Sequence, residues 1–419
     1  MQTSTRIFPV LLFGISMLAA CKTGDGSSKN KKEMTAMNTP GPGSFGYDLR
    51  FLQSKDDGLI VLQSMDEKAQ VIVSPKYQGK VFTSTASGMD GKSFGWVNYK
   101  AFDEPVNDHM NAYGGEDRLW LGPEGGKYSL YFAPGTTMNF DNWHTPKGID
   151  MESWKLVGED ETKVSMQKEL NLLNYAGTTL KIKLMREVQL LEKSRMEEML
   201  SLAPGLPVNA VGFQTVNTMV NSGDQAWDES TGAPCLWSLD MFMPSPSCVI
   251  VIPYEDNANG KVATTDYFGE IPKDRIKYEN GVLFFKADGK SRGKLGIPPA
   301  RVKNVAGSYD AENKVLTITQ FDIDKKGKYL NQEWRTDRAP FSGDAMNAYN
   351  DGPLENGSQM GPFYELESVS PAAFLQPGQK LVHHHSVFHF TGDETALNNI
   401  AQKVLGVSLQ QIQDAFKNN

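Results

Sequence analysis

Short runs of alternating apolar and polar residues, each closed by Gly, Pro, Asn or Asp, recur along this chain from residue 59 to residue 390. Residues 59–65, 69–74, 129–132, 163–173, 180–191, 208–220, 282–286, 314–321 and 381–390 are such runs, rich in β-branched and aromatic side chains. In a strand successive side chains point to opposite faces, so this period of two predicts sheets that bury at least one face. Helical signals are few. Residues 192–202 read as a short helix, Asp393 caps one running to about Leu405, and Ser408 with Gln411 forms a capping box for another. The expected fold is mainly β, a large antiparallel two-sheet sandwich with short C-terminal helices. The stretch 45–419 is long enough for a large core, and neither a repeat nor an internal linker divides it, so it reads as one domain.

The N-terminus has a different character. Arg6 precedes an apolar run over residues 7–20 that stops at Cys21. A run of about 14 residues falls short of the roughly 20 that a bilayer-spanning helix needs. A basic start, a short apolar stretch and a small-residue end make the pattern of a secretory signal. Leu18, Ala19, Ala20 and Cys21 also resemble the bacterial lipobox, in which the cysteine is acylated before cleavage just ahead of it. The expectation is a signal peptide over 1–20 and a lipidated, palmitate-type anchor at Cys21. Each buried methylene adds about 0.8 kcal/mol, so two or three acyl chains hold a protein at a membrane where one gives marginal attachment. Residues 21–44, rich in Gly, Ser, Lys, Asn, Thr and Pro, read as a flexible tether. Lys22 is not the aspartate that favours inner-membrane retention. A place in the cell envelope, at the outer membrane, is therefore expected.

Charge narrows the partners. The formal net charge is −8 with His neutral, which argues against a dedicated nucleic-acid binder. Plentiful Trp, Tyr and Asn suit an uncharged polar ligand such as a sugar, and equally suit an ordinary β protein. No Gly-rich phosphate loop follows a strand and no Ser elbow is present, so nucleotide hydrolysis and serine-hydrolase chemistry lack support. No motif specifies a cofactor or a protein partner.

Two cysteines besides Cys21 are Cys235 and Cys248. Residues 235–243 and 248–254 read as the two strands of a hairpin with a turn over 244–247. That hairpin would set Cys248 opposite about Phe242 and leave Cys235 beyond disulfide reach. Their spacing does not resemble a metal site.

Several segments resemble the galactose-mutarotase-like (aldose-epimerase-like) sandwich proteins, in particular a lipoprotein family of Bacteroidota with no established activity. They are G-G-E-D-R-L-W-L-G-P-E-G-G over 114–126, N-T-M-V-N-S-G over 217–223, G-P-F-Y-E-L-E-S-V-S-P-A over 361–372 and L-Q-P-G ending at Gly378. The resemblance implies a two-sheet supersandwich that binds sugars on one sheet face. It also implies a superfamily of epimerases, lyases and non-catalytic binding domains. The catalytic histidine and glutamate of the epimerases do not align onto this chain.

Candidate chemistry concentrates in two places. Glu365 and Glu367 share one strand face about 7 Å apart, with Tyr364 and Leu366 on the other. The following run places His383, His385 and His389 on one face and His384, Phe388 and Phe390 opposite. A loop centred near Phe374 would pair Glu365 with about His385 and Glu367 with about His383. Carboxylate and imidazole pairs move protons, as anomerisation requires. Two carboxylates at that separation would instead suit inverting glycoside hydrolysis. Two histidines with a carboxylate also resemble a metal-ligand set, and a hydrogen-bonded strand face without chemistry accounts for the residues too.

The second place is the early motif. Arg118 and Trp120 share a face, Leu119 and Leu121 enter the core, and Glu124 follows at the turn. Arg beside Trp makes a sugar platform, or a stacked pair bridged to Glu116 or Glu124. His144, beside Trp143, and His109 are weaker additions. Asp322, Asp324, Gly327 and Glu333 fall at the spacing of a calcium loop, but Lys326 occupies a ligand position and a strand precedes the loop. Asn347, Asn350 and Asp351 read as a turn. The residues thus favour carbohydrate binding and leave open a sugar-active enzyme, either an aldose 1-epimerase or a polysaccharide hydrolase or lyase, and a non-catalytic structural or assembly lipoprotein.

Overall fold

The structure, a computed structural model, describes residues 41–417; Cys21, the signal segment and the tether up to residue 40 lie outside the described residues. Eighteen strands run in chain order as β1 (Ile60–Gln63), β2 (Gln70–Ser74), β3 (Lys80–Thr85), β4 (Arg118–Gly122), β5 (Lys155–Glu159), β6 (Lys163–Leu173), β7 (Thr179–Leu190), β8 (Val208–Asn221) and β9 (Cys235–Phe242), followed by β10 (Cys248–Pro253), β11 (Ile276–Glu279), β12 (Val282–Lys286), β13 (Gly293–Ile297), β14 (Val305–Asp310), β15 (Val315–Phe321), β16 (Met346–Asn350), β17 (Tyr364–Val369) and β18 (Lys380–Gly392). They form an antiparallel ten-stranded sheet in the order β11-β12-β10-β14-β15-β18-β8-β7-β6-β5, a five-stranded sheet β13-β16-β17-β9-β4 and a three-stranded sheet β1-β2-β3. The mainly β, antiparallel sandwich read from the sequence is the observed class.

Alternation decides which side chain goes where. In β6 and β7 nearly every second residue is buried while its neighbours are partly or fully exposed, as in a sheet packed on one face. The large core contains Val164, Ile182, Leu236, Leu295 and Leu366, which fill the space between the ten- and five-stranded sheets. The other face of the ten-stranded sheet carries Val251, Phe284, Ile318, Phe388 and Phe390, and it is covered by helices α3 (Lys193–Met199), α4 (Glu394–Leu405) and α5 (Leu409–Asp414). Leu397, Ile400 and Ile412 are their buried contributions. An N-terminal helix α1 (Phe45–Gln53), preceding the short α2 (Lys147–Asp150), packs Phe45, Leu49 and Leu52 on Ile72 and Phe82. Among the described residues no helix is long and apolar enough to cross a membrane.

The helix signals are local, and the caps form as expected: Asp393 accepts from the Ala396 backbone amide, and Ser408 with Gln411 closes a capping box. Pairings between distant segments differ from expectation. Cys235 and Cys248 begin strands in different sheets, β9 pairing β4 and β17 while β10 pairs β12 and β14. Residues 244–247 therefore carry the chain from one sheet to the other and close no hairpin. Both thiols are free and buried. Residues 129–132 form no strand, although Phe132 makes an isolated bridge to Trp143. Asn347 and Asn350, read as a turn, lie within β16.

Candidate functional site

Charged and aromatic side chains converge on the outer face of the five-stranded sheet, the one turned away from the ten-stranded sheet. Register brings them together. Trp120 of β4 stands opposite Trp237 of β9, and Arg118 opposite Leu239, whose other neighbour is Glu367 of β17. Glu365 and Glu367 stand beside Tyr349 and Asn347 of β16. The loops after β4, β10, β15 and β16 supply Glu124, Phe140, Trp143, Phe268, Trp334 and Met360, and the pocket they line measures about 130 Å³. The two-glycine opening of the early motif places β4: Gly114 has φ +84°, and a Cβ there would meet the Trp96 carbonyl at 2.1 Å.

Two buried acid–base pairs lie at the base of this pocket, which their members Glu365 and Lys294 line directly. Arg118 Nη2 lies 2.5 Å from Glu365 Oε1, and the guanidinium sits 5.1 Å from the Trp120 ring centroid. The stacking expected of Arg118 is present, but its bridge goes to Glu365 and not to Glu116 or Glu124. Lys294 of β13 lies 3.0 Å from Glu367 Oε2, which also accepts from Trp237 Nε1 at 2.8 Å. Lys294 Nζ lies 4.7 Å from the Trp237 ring centroid. Among the described residues Glu367 Oε1, Arg118 Nε, Trp120 Nε1 and Trp143 Nε1 are buried without a hydrogen-bond partner. Buried polar atoms in native proteins almost always have one, in protein, water or ligand.

Burial sets the protonation of this site. Desolvation pushes the Glu365 carboxyl up, to about 8, against the pull of Arg118. Glu124 is raised as well, chiefly by burial. Burial pulls Lys294 down, but Glu367, Glu124 and Glu365 outweigh it and hold its ammonium above the ordinary value. The pocket thus combines a carboxyl that tends to keep its proton with a firmly charged ammonium.

The histidines lie elsewhere. β17 pairs only β16 and β9, and β18 pairs β15 and β8, so Glu365 does not face His385 and Glu367 does not face His383. The side-chain parity within each strand is as expected, but the two strands are not partners, because the loop between β17 and β18 changes sheets. Instead, Ser368, on the opposite face of β17 from the glutamates, meets both rings across the sandwich, its Oγ 2.8 Å from His383 Nε2 and 2.8 Å from His385 Nδ1. His385 Nε2 is 2.8 Å from Asp240 Oδ2. His389 Nε2 lies 3.0 Å from Glu116 Oε1. These groups are 0–1% exposed, so the histidines form a closed polar layer between the sheets and contribute nothing to the pocket.

His144 is also absent from the pocket. It is exposed, stacked on His109 with ring centroids 4.7 Å apart; its neighbour Trp143 lines the pocket instead. Asp322 pairs with His384 Nδ1 at 2.7 Å, and Asp324 accepts from the Lys326 backbone amide, a turn contact. Among the described residues no group of three or more His, Cys, Asp or Glu is placed to hold a metal ion. Sequence reasoning missed Lys294, Trp237, Trp334 and Arg292. The alternation W-S-L-D over 237–240 carried a signal for Trp237, whereas Lys294 in G-K-L-G carried none until β13 was placed.

Residues 43–416 match DUF6786, a family of unknown function. The chain belongs to this family. No curated protein matches its sequence. Among solved structures, the DUF6786 chain is similar to Slr1438 of Synechocystis sp. PCC 6803 at TM-score 0.50 and 13% identity, covering 80% of this chain and 96% of that one. It is also similar to a galactose mutarotase-like protein of Lactobacillus casei (TM-score 0.47, 10% identity, 79% and 100% covered). A putative aldose 1-epimerase of Escherichia coli K12 follows (TM-score 0.45, 13% identity, 79% and 99% covered). The mainly β, antiparallel fold is thus similar to that of Slr1438. At such identities the likeness concerns the fold, and function has to be argued from the site.

Proposed function

We propose that this protein binds carbohydrate in the pocket on the outer face of the five-stranded sheet, and does so as a lipid-anchored protein of the cell envelope. One observation carries the binding reading: Trp120, Trp143, Trp237 and Trp334 line one pocket together with Glu365 and Lys294, which are held from behind by Arg118 and Glu367. Indole faces take the apolar faces of a sugar ring, and fixed charges with spare hydrogen-bonding capacity take its hydroxyls. The resemblance of the segments over 114–126, 217–223 and 361–372 to galactose-mutarotase-like proteins supports the same class of ligand. Thermal shift and calorimetry across a sugar panel test it. One sugar class should raise the melting temperature, and Glu365→Gln should weaken that effect; no response to any sugar would sink the reading.

The anchor rests on the signal pattern ending at Cys21. Incorporation of labelled palmitate that disappears in Cys21→Ser supports it, and equal release of both proteins into the soluble fraction overturns it. The placement at the outer membrane rests on Lys22 and is tested by fractionation of the two membranes.

A second reading, a sugar-active enzyme of the aldose 1-epimerase type, is favoured by the raised acids Glu365 and Glu124 at the same pocket. Anomerisation needs an acid at the ring oxygen and a base at the anomeric hydroxyl. Polarimetry on freshly dissolved sugars decides it: acceleration lost in Glu365→Gln supports catalysis, and the uncatalysed rate supports binding alone.

A further inference from the structure

Beside the inner pocket lies a cleft of about 860 Å³, and Met110, Phe140, Trp143 and Met360 line both. Sites that enclose a drug-sized ligand measure roughly 300–1,000 Å³. The cleft falls within that range, and the inner pocket, at about 130 Å³, falls below it. The two cavities therefore adjoin, with Phe140 and Trp143 facing both.

The chemistry of the cleft restricts which ligands can occupy it. Trp96, Tyr99 and Phe140 contribute rings, while Asn98, Asn107 and Gln359 contribute amides. Phe140 is 59% exposed yet held in place, its ring stacked at 4.5 Å on His109. The charged lining of the cleft is limited to Asp48, Lys100 and Glu104. Asp48 is already engaged by the hydroxyls of Ser93 and Tyr99. One lysine offers no cluster for a polyanion, and one remaining carboxylate offers none for a polycation.

We propose that this cleft is a second binding site, which takes the chain of a neutral oligosaccharide whose end unit occupies the inner pocket. The proposal rests on the carbohydrate reading of that pocket. Rings and amides together recognise an uncharged glycan, the rings stacking on C–H faces and the amides bonding hydroxyls. A chain bound across both sites gains contacts without a second loss of translational freedom.

Calorimetry on the full chain with neutral gluco-, galacto- and manno-oligosaccharides, from monosaccharide to hexasaccharide, tests it. In one series affinity should rise about ten-fold or more between monosaccharide and tetrasaccharide. Met243→Trp, which fills the cleft from a position 43% exposed, should remove that gain and leave monosaccharide affinity unchanged. Gln359→Ala, a truncation on the cleft wall, should reduce the gain. Equal affinity at all lengths would overturn the cleft proposal while leaving the inner pocket reading intact. Tighter binding of uronate oligosaccharides than of neutral ones would overturn the neutral class. Failure of every sugar to bind would overturn both readings.

Discussion

Asp240 Oδ2 lies 2.8 Å from His385 Nε2, a fully buried contact that ties β9 of the five-stranded sheet to β18 of the ten-stranded one. Burial pushes Asp240 up to about 7, against the pull of His385. Burial lowers His385, but Asp240 outweighs it and holds the ring above its ordinary value. Both shifts have the same sign: near neutrality the folded pair binds more protons than the unfolded chain. Stability from the pair is complete below the unfolded carboxylate value, about 3.9, and is lost as pH rises through the folded value of about 7. Asp240→Asn removes this titration. In urea unfolding the variant should lose about 1–3 kcal/mol at pH about 5 and noticeably less at pH about 8. Parallel pH profiles for the two proteins would refute the assignment.

Ser368 serves two imidazoles with one hydroxyl. Burial, then the neighbouring His385, pushes His383 down to about 3, so its ring is neutral in the folded protein. Ser368→Ala should cost about 1–3 kcal/mol for each ring nitrogen left unpartnered, read as a shift of the urea midpoint. Ser368→Thr, which keeps the hydroxyl, should recover part of it. Neither change should alter sugar binding, because the layer is closed off from the pocket.

Period two placed nearly every side chain on its correct face. His383, His385 and His389 do share one face of β18, with Phe388 and Phe390 opposite, and Glu365 with Glu367 do face away from Tyr364 and Leu366. The sequence could not show which strands neighbour one another. Adjacency in a sandwich depends on crossovers such as residues 244–247 and the segment between β17 and β18, whose turn residues look the same whether a strand folds back beside its predecessor or changes sheet. For that reason the sequence points Glu365 at His385, whereas its partner is Arg118, 247 positions away. Local signals, such as the caps at Asp393 and Ser408, involve residues three apart and needed no such knowledge.

The Asp393 cap tests how far the helical cover depends on local order. Its carboxylate accepts from the Ala396 amide at 2.9 Å, and α4 then lays Leu397, Ile400 and Ala401 on the ten-stranded sheet. Asp393→Ala should destabilise the protein by about 1 kcal/mol, and Asp393→Ser should restore most of it. A loss well above this in denaturant unfolding would mean that Asp393 has a further role.

Cys235 and Cys248 should be silent toward thiol reagents in the folded protein. Burial pushes the Cys235 thiol up to about 12 and raises Cys248 further, so neither supplies thiolate at neutral pH. In a Cys21→Ser background no reaction with a chromogenic disulfide is expected until denaturant is added, when both thiols should react. Reaction of either thiol before unfolding would contradict their burial.

The Lys294–Glu367 pair separates the stability of the pocket floor from its binding chemistry. Glu367 Oε2 accepts from both Lys294 and Trp237, so Glu367→Gln leaves the buried Lys294 ammonium without its nearest counter-charge. Removing one partner of a buried pair costs about 3–5 kcal/mol, whereas replacing both with apolar residues of similar volume is often neutral. Glu367→Gln should therefore lower the unfolding free energy by several times the loss in Lys294→Met/Glu367→Met, measured by urea denaturation. Binding should order the two variants the other way. The amide introduced by Glu367→Gln keeps an acceptor for Trp237 and leaves Lys294 in the pocket wall to meet a sugar, while the double methionine variant keeps the shape of the floor and removes its polar groups. A double variant that is more stable than Glu367→Gln and yet has lost sugar binding would show that the pair is retained for the ligand and not for the fold.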